Sequence, residues 1–265
     1  KSPLIIRALE RLELFAYRKA EVIVPVTDAF KRYMVGKGID AAKIAVLKNG
    51  VNLRLFQARD PATPEAQALA RQLGAEGRFV AAYVGTHGMA HHLETILEAA
   101  ALIDSNDILF VMVGDGAERD RLAAKRAEMG LTNVVMLDQL PKTNMPALWS
   151  LTDVSLVLLK RSDLFKTVIP SKIFESMAMR VPIILGVEGE AQAIIEDAGA
   201  GICIEPENAK RLAESVRMLF EDRALAERLG ENGRTYVEQH FDRAALAERY
   251  QQILIDTVQV AAADL

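Results

Sequence analysis

Apolar and polar positions change period several times along this chain of 265 residues. Over residues 4–19, Leu4, Ile5, Ile6, Leu9, Leu12, Phe15 and Ala16 recur against Arg7, Glu10, Arg11, Glu13 and Arg18, which predicts an amphipathic helix. Glu21 to Val26 reads as a strand. Thr27-Asp28 can cap a helix running through Met34, which Gly36 and Gly38 end. Lys43 to Leu47 reads as a second short strand, and Asn49-Gly50-Val51-Asn52 as a turn. A short helix from Glu65 to Leu73 lies between Pro61 and Pro64 on one side and Gly74 and Gly77 on the other.

From residue 79 the chain settles into strict alternation. Strands are expected at 79–84, 108–113, 134–137, 153–159, 183–185 and 202–204. Helices are expected after Gly85, at 118–129, around Met145, Leu148 and Trp149, after Ser171, near 190–198, and from about 208 to the end. The strands are continuously apolar, without alternation of period two, so both faces of their sheet are covered. The expected fold class is therefore α/β, a doubly wound parallel sheet of Rossmann type. Ligands of such sheets bind beyond the carboxyl ends of the strands. Gly85, Gly114, the loop after Leu137, the loop after Leu159 and the start of the helix at Ser171 all fall at such ends.

The densest stretch is 167–185. A loop through Thr167, Val168 and Ile169 ends at Pro170, and a helix carrying Ile173, Phe174, Met177 and Ala178 follows. Val181-Pro182 stops that helix, since proline lacks an amide and disfavours the α conformation in the residue before it. The free amides of a helix start favour anions. Lys172 adds a full positive charge where it opposes the helix dipole, and an external anion is one reason to place it there. Glu175, three residues on, shares its face and could accept hydrogen bonds from ribose hydroxyls. An ordinary solvated i,i+3 ion pair would account for the same spacing.

Pro170-Ser171-Lys172, Phe174-Glu175-Ser176-Met177-Ala178 and Val181-Pro182-Ile183 together resemble a segment of the retaining GT-B-fold glycosyltransferases, the family-4-like group 1 class. Within it the chain is most similar to sugar transferases of bacterial surface-polysaccharide assembly. Ala20 to Thr27, then Lys43-Ile44, then Asn49-Gly50-Val51-Asn52 with Phe56, follow the same class in order and spacing. The resemblance runs from about residue 20 to residue 250.

It implies three divisions. Residues 1–50 would be the tail of an amino-terminal, acceptor-binding domain. Residues 51–240 would be the Rossmann-like domain that binds a nucleotide-sugar, and 241–265 a carboxyl-terminal helix crossing back. It also implies donor-binding roles for Gly85, Thr86, His87, Gly114, Leu140, Thr167, Val168, Ile169, Ser171, Lys172 and Glu175. Glu175 would bind the donor ribose, and the loop at Leu140 would meet the base largely by main chain. No catalytic residue is implied.

The chain departs from the class at two places. The loop after the first strand of that domain often carries an arginine and a lysine on the donor diphosphate. Here Thr86 or His87 and then His91 stand in those places, and a partly charged histidine could replace a cation. The glutamate that helps hold the donor sugar is replaced by Thr167. Gly85-Thr86-His87-Gly88 and Gly114-Asp115-Gly116 also have plain readings as glycine turns.

Composition narrows the remaining choices. With 51% hydrophobic and 26% charged residues the chain can bury a large core. Net charge −4 leaves no basic field for nucleic acid. The single Cys203 excludes an internal disulfide and a cysteine zinc cluster, and cytoplasm is the expected setting. His87, His91 and His92 cluster without a nearby acidic or cysteine ligand, so no metal site and no cofactor are expected. Trp149 and Cys203 read as core. No apolar run reaches the ~20 residues of a membrane span, and no signal peptide is evident. Because the sequence opens on Lys1-Ser2-Pro3, it reads as a piece of a longer protein.

Residues 1–50 hold ten basic against five acidic side chains. That asymmetry raises peripheral contact with an anionic membrane and a lipid-linked acceptor. The partners expected are a nucleotide-sugar donor, expected to be a UDP-sugar, and a sugar or lipid-linked acceptor. A nucleotide-sugar epimerase, using the His87–His92 cluster, and a non-catalytic nucleotide-binding module are the alternatives.

Overall fold

The computed structural model describes residues 3–57 and 61–263. Lys1 of the basic count and the last two positions of the expected terminal helix lie outside the described residues. The chain divides into two compact units, residues 1–50 with 243–265, and residues 51–242.

The smaller unit opens with helix α1 (Pro3–Lys19), in which no residue is buried. Helix α2 (Asp28–Gly36) starts where Thr27 accepts a hydrogen bond from the Phe30 amide at 3.2 Å. Met34, Ile39 and Ile44 form a small core, with Tyr17 and Ile23 against it. The two strands expected at 21–26 and 43–47 do not form as such. Their pairing shrinks to one isolated parallel bridge between Ile23 and Ile44. The Ile23 amide donates to Lys43, the Ala45 amide to Ile23 and the Leu47 amide to Pro25. Pro25 can accept but has no N–H to return, so the ladder stops.

The larger unit begins with α3 (Pro64–Leu73), capped by Thr63 and closed by Gly74 at φ 63°. Then come β1 (Phe79–Val84), α4 (Glu94–Ala101), β2 (Ile108–Val113) and α5 (Arg119–Glu128). β3 (Val134–Leu137), α6 (Met145–Ser150), β4 (Val154–Leu158), α7 (Lys172–Ala178) and β5 (Ile183–Gly186) follow. α8 (Glu190–Ala198), β6 (Gly201–Cys203), α9 (Ala209–Glu221) and α10 (Arg223–His240) complete the unit. The last helix, α11 (Arg243–Ala263), belongs to the smaller unit.

All six strands pair in parallel, in the order β3-β2-β1-β4-β5-β6. Alternate strand residues feed two cores. Val80, Ala82, Leu109, Val111 and Ile183 face a layer containing α7, α8 and Trp149. Phe79, Ala81, Tyr83, Ile108 and Phe110 face a layer containing α4 and α9. Both faces are thus buried, the arrangement that demands apolar runs rather than alternation. Cys203 is half-buried at the edge strand, and burial pushes its thiol up to about 11.

Sheet order reverses between β1 and β4, which opens a crevice at their carboxyl ends. Helix α7 is pinned beside it. The Ser155 and Ser176 hydroxyls meet at 2.8 Å inside the protein, and Ser176 donates to the Lys172 carbonyl at 2.9 Å. At its other end, the Arg234 guanidinium donates to the Ala178 carbonyl at 2.6 Å. Phe174 packs on Phe241 with centroids 4.5 Å apart. Gly230 allows α10 this close approach, since a Cβ there would lie 2.1 Å from the Arg180 carbonyl oxygen.

Candidate functional site

A cleft of about 220 Å³ lies at the carboxyl edge of the sheet in the larger unit. Val84, Gly85 and Thr86 line it at the end of β1, with Val113, Gly114 and Asp115 at the end of β2. Gln139, Leu140, Lys142 and Met145 line it from the segment after β3, and Glu175 from α7.

The loops after β1 and β2 lock together through backbone. The His87 amide donates to Asp115 at 2.8 Å, and the Glu118 amide donates back to His87 at 2.8 Å. Gly114 sits at φ 145°, where a Cβ would lie 1.9 Å from the Gly85 carbonyl oxygen. Only glycine fits such an approach. Asp115 turns its carboxylate onto the Gly116 amide at 2.7 Å.

Lys172 packs against the β1 loop at Gly85. Its Nζ is buried, has no hydrogen-bond partner among the described residues, and lies 3.9 Å from the centroid of the Tyr83 ring. A Cβ on Gly85 would come within 2.9 Å of it. Desolvation pulls its ammonium down to about 7, partly opposed by the charge of Glu175. The amides of Ser171 and Lys172 donate to no acceptor within the described residues, whereas Ile173 and Phe174 are satisfied by Pro170 and Ser171. Two unspent amides and a buried cation thus sit at the start of α7, the helix whose Glu175 lines the cleft.

The sequence candidates separate into two groups. Gly85, Thr86, Gly114, Leu140 and Glu175 line the cleft, and Lys172 touches it through Gly85. Thr167, Val168, Ile169 and Ser171 are not among the lining residues. Val168 and Ile169 instead pack on the core, and the Thr167 hydroxyl donates to the Leu164 carbonyl at 2.7 Å.

His87 requires a correction. It is fully buried, and both ring nitrogens lack hydrogen-bond partners among the described residues. Desolvation first, then the nearby Arg119 charge, pulls it down to about 4. A neutral, buried imidazole cannot stand in for a missing arginine. His91 is also pulled down by burial, and its Nδ1 meets the Leu158 carbonyl at 3.3 Å. No histidine lines the cleft, so the acid/base pair that an epimerase would need from His87–His92 is not assembled there. Among the described residues no three metal-ligating side chains converge.

Sequence reasoning missed Lys142 and Tyr83, whereas Gln139 lies in the loop it assigned to the base. Lys142 is a surface lysine in an irregular segment, with no motif around it. Tyr83 reads as one apolar residue among six in β1.

The model for Glycosyl transferases group 1 matches residues 66–236. This chain belongs to that family. It is 29% identical over 225 residues to alpha-D-kanosaminyltransferase of Streptomyces kanamyceticus, covering 83% of this chain and 56% of that one. Lipopolysaccharide core biosynthesis glycosyltransferase LpsE of Rhizobium meliloti is 25% identical over 212 residues, covering 80% and 58% respectively. The chain thus spans little more than half the length of the curated relatives it matches. Among solved structures, Anabaena HepE in complex with UDP-glucose superposes with a TM-score of 0.79 at 20% identity, over 91% of this chain and 65% of that one. WaaG, a glycosyltransferase involved in lipopolysaccharide biosynthesis, gives 0.70 at 17% identity, over 85% and 60%. The group 1, GT-B resemblance and the α/β Rossmann-like fold drawn from the sequence are thereby borne out.

Proposed function

We propose that residues 51–242 form the donor-binding half of a retaining glycosyltransferase that moves a sugar from a UDP-sugar to an acceptor in bacterial surface-polysaccharide synthesis. The observation that carries this reading is the grouping of Lys172, the free amides of Ser171 and Lys172, and Glu175 at one end of α7, beside a glycine-lined cleft. Membership of the glycosyl transferases group 1 family supports it.

In this reading the diphosphate lies against the backbone of Gly85 and Gly114, which line the cleft. Glu175 accepts hydrogen bonds from the ribose hydroxyls, and the Leu140 loop meets the base. The acceptor hydroxyl attacks from the face that the leaving diphosphate vacates, which retains configuration. Lys172 and the α7 amides stabilise the charge that develops on the leaving group, a preorganised electrostatic contribution. The charge is met by protein groups, so transfer needs no divalent ion. The acceptor, lipid-linked in this proposal, engages the part of the longer protein to which residues 1–50 belong. That part is peripheral to the cytoplasmic face of the membrane.

Calorimetry with UDP, uridine and GDP tests the donor half. UDP should bind, with the diphosphate contributing most of the gain over uridine. Equal affinity for UDP and uridine would remove the diphosphate from the cleft. Transfer by the full-length enzyme should survive a chelator, and loss of activity restored by magnesium would refute metal independence.

A further inference from the structure

We propose that Tyr83 is a positioning residue of this cleft: its ring seats the Lys172 ammonium and its hydroxyl holds the loop after β1. The inference rests on the donor-binding role given to Lys172 above, and deepens it.

Tyr83 is the penultimate residue of β1 and is completely buried. A fully buried tyrosine must find a partner for its O–H. Here the hydroxyl donates to the Thr86 carbonyl at 2.8 Å, three residues on. Burial pushes the phenol up, so the group remains a donor at physiological pH. That bond closes the turn Tyr83–Thr86 over Gly85, the residue that lines the cleft.

The ring does a second thing. Lys172 Nζ stands 3.9 Å from its centroid, and no oxygen within the described residues accepts a hydrogen bond from that ammonium. Among the described residues the buried charge is met by the negative face of this ring and by the charge of Glu175. Gly85 completes the seat. A Cβ there would lie 2.9 Å from Nζ and 3.5 Å from the Tyr83 hydroxyl oxygen, so any side chain would push the lysine away. The cation and the loop that borders the cleft are therefore held by one side chain. An incoming diphosphate meets both already in place, which lowers the cost of ordering them on binding.

Packing alone explains neither contact. Phenylalanine would fill the ring position within β1 and leave the Thr86 carbonyl unpaired. Leucine would keep an apolar core and lose both contacts. The two substitutions therefore separate the roles.

The test is calorimetry of UDP and uridine on wild type, Tyr83→Phe, Tyr83→Leu, Lys172→Ala and the double variant Tyr83→Leu/Lys172→Ala. Tyr83→Leu should weaken UDP about tenfold while leaving uridine within about twofold. Tyr83→Phe should lose only about threefold for UDP, through the freed loop. On the Lys172→Ala background, Tyr83→Leu should add only the roughly threefold loss of the freed loop, because the rest of its effect passes through the lysine. Equal losses for UDP and uridine, or full additivity of the two substitutions, would overturn the proposal. A nucleotide-free measurement stands beside it. The Lys172 ε-carbon NMR resonance should be ring-shifted in wild type and Tyr83→Phe, and should move toward the other lysines in Tyr83→Leu. A wild-type Lys172 without a ring shift refutes the seat, whether or not UDP binds. Failure of the wild type to bind UDP with the ring shift intact refutes the donor reading and leaves the seat standing.

Discussion

Helices α1 and α7 carry the same kind of apolar pattern and meet opposite fates. α1 has 17 residues and buries none, with Leu4, Leu9, Leu12 and Phe15 each about 60% exposed or more. α7 has seven residues and buries Ile173, Phe174, Ser176, Met177 and Ala178. An apolar stripe states that a face needs covering. It does not state by what. In α7 the cover is β4, β5 and α10 of the same unit, and the helix start is thereby fixed beside the cleft. In α1 the stripe is left open among the described residues.

The largest effect that would sharpen this contrast lies in α7. Phe174 is fully buried and stacks against Phe241. Phe174→Ala should cost about 3–5 kcal/mol of stability, through lost transfer energy and the cavity left behind. Urea denaturation of the variant measures it. A loss below about 1 kcal/mol would mean that α7 is not held as described.

Next comes the first turn of the same helix, where function rather than stability should respond. Glu175→Ala should weaken UDP binding by about 1.5–3 kcal/mol, the scale of hydrogen bonds to a charged group. Unchanged calorimetric affinity would take Glu175 out of the ribose site. Lys172→Ala should weaken UDP more than uridine, and equal losses would remove its phosphate role.

The buried charge of Lys172 gives a smaller, pH-dependent signature. The unfolded chain keeps this proton up to about 10.5, whereas desolvation in the folded chain releases it above about 7. Between those values the unfolded state binds more protons, so this group makes stability rise with pH. Glu175, His87 and His91 face the ammonium, and the two imidazoles are neutral in this range because burial holds them low. Melting temperature compared between about pH 7 and pH 9 should rise more in wild type than in Lys172→Met. An identical change in both would place the lysine in water.

Much of this was legible beforehand, for physical reasons. Runs such as Phe79–Val84 and Ile108–Val113 can exist only in a sheet covered twice, so the parallel fold followed from them. Gly114 could be placed in the cleft because its strand ended there. What escaped notice depends on contacts between distant positions. Nothing local says that His87 turns inward while Thr86 faces solvent, since both follow the same glycine. The paired runs at 21–26 and 43–47 looked like strands, and Pro25 reduced them to one bridge. Tyr83 became distinct only once Lys172, 89 positions later in sequence numbering, came to rest on its ring.

The smallest expected effect is the one that completes the contrast. If the stripe on α1 is as open in solution as it is here, its residues contribute little to the stability of this chain. Leu9→Ser and Leu12→Ser should each change unfolding free energy by no more than about 0.5 kcal/mol, because most of their apolar area is already in water in the folded chain. The same substitutions should raise solubility, since they break a contiguous exposed apolar face. Denaturation curves and light scattering on the two variants measure both quantities. A loss of 2 kcal/mol or more, about the value for burying a leucine side chain, would show that α1 is covered in solution, by a second copy or by its own chain. Dilution separates those two: a concentration-dependent loss belongs to a second copy, and a concentration-independent one to the chain itself.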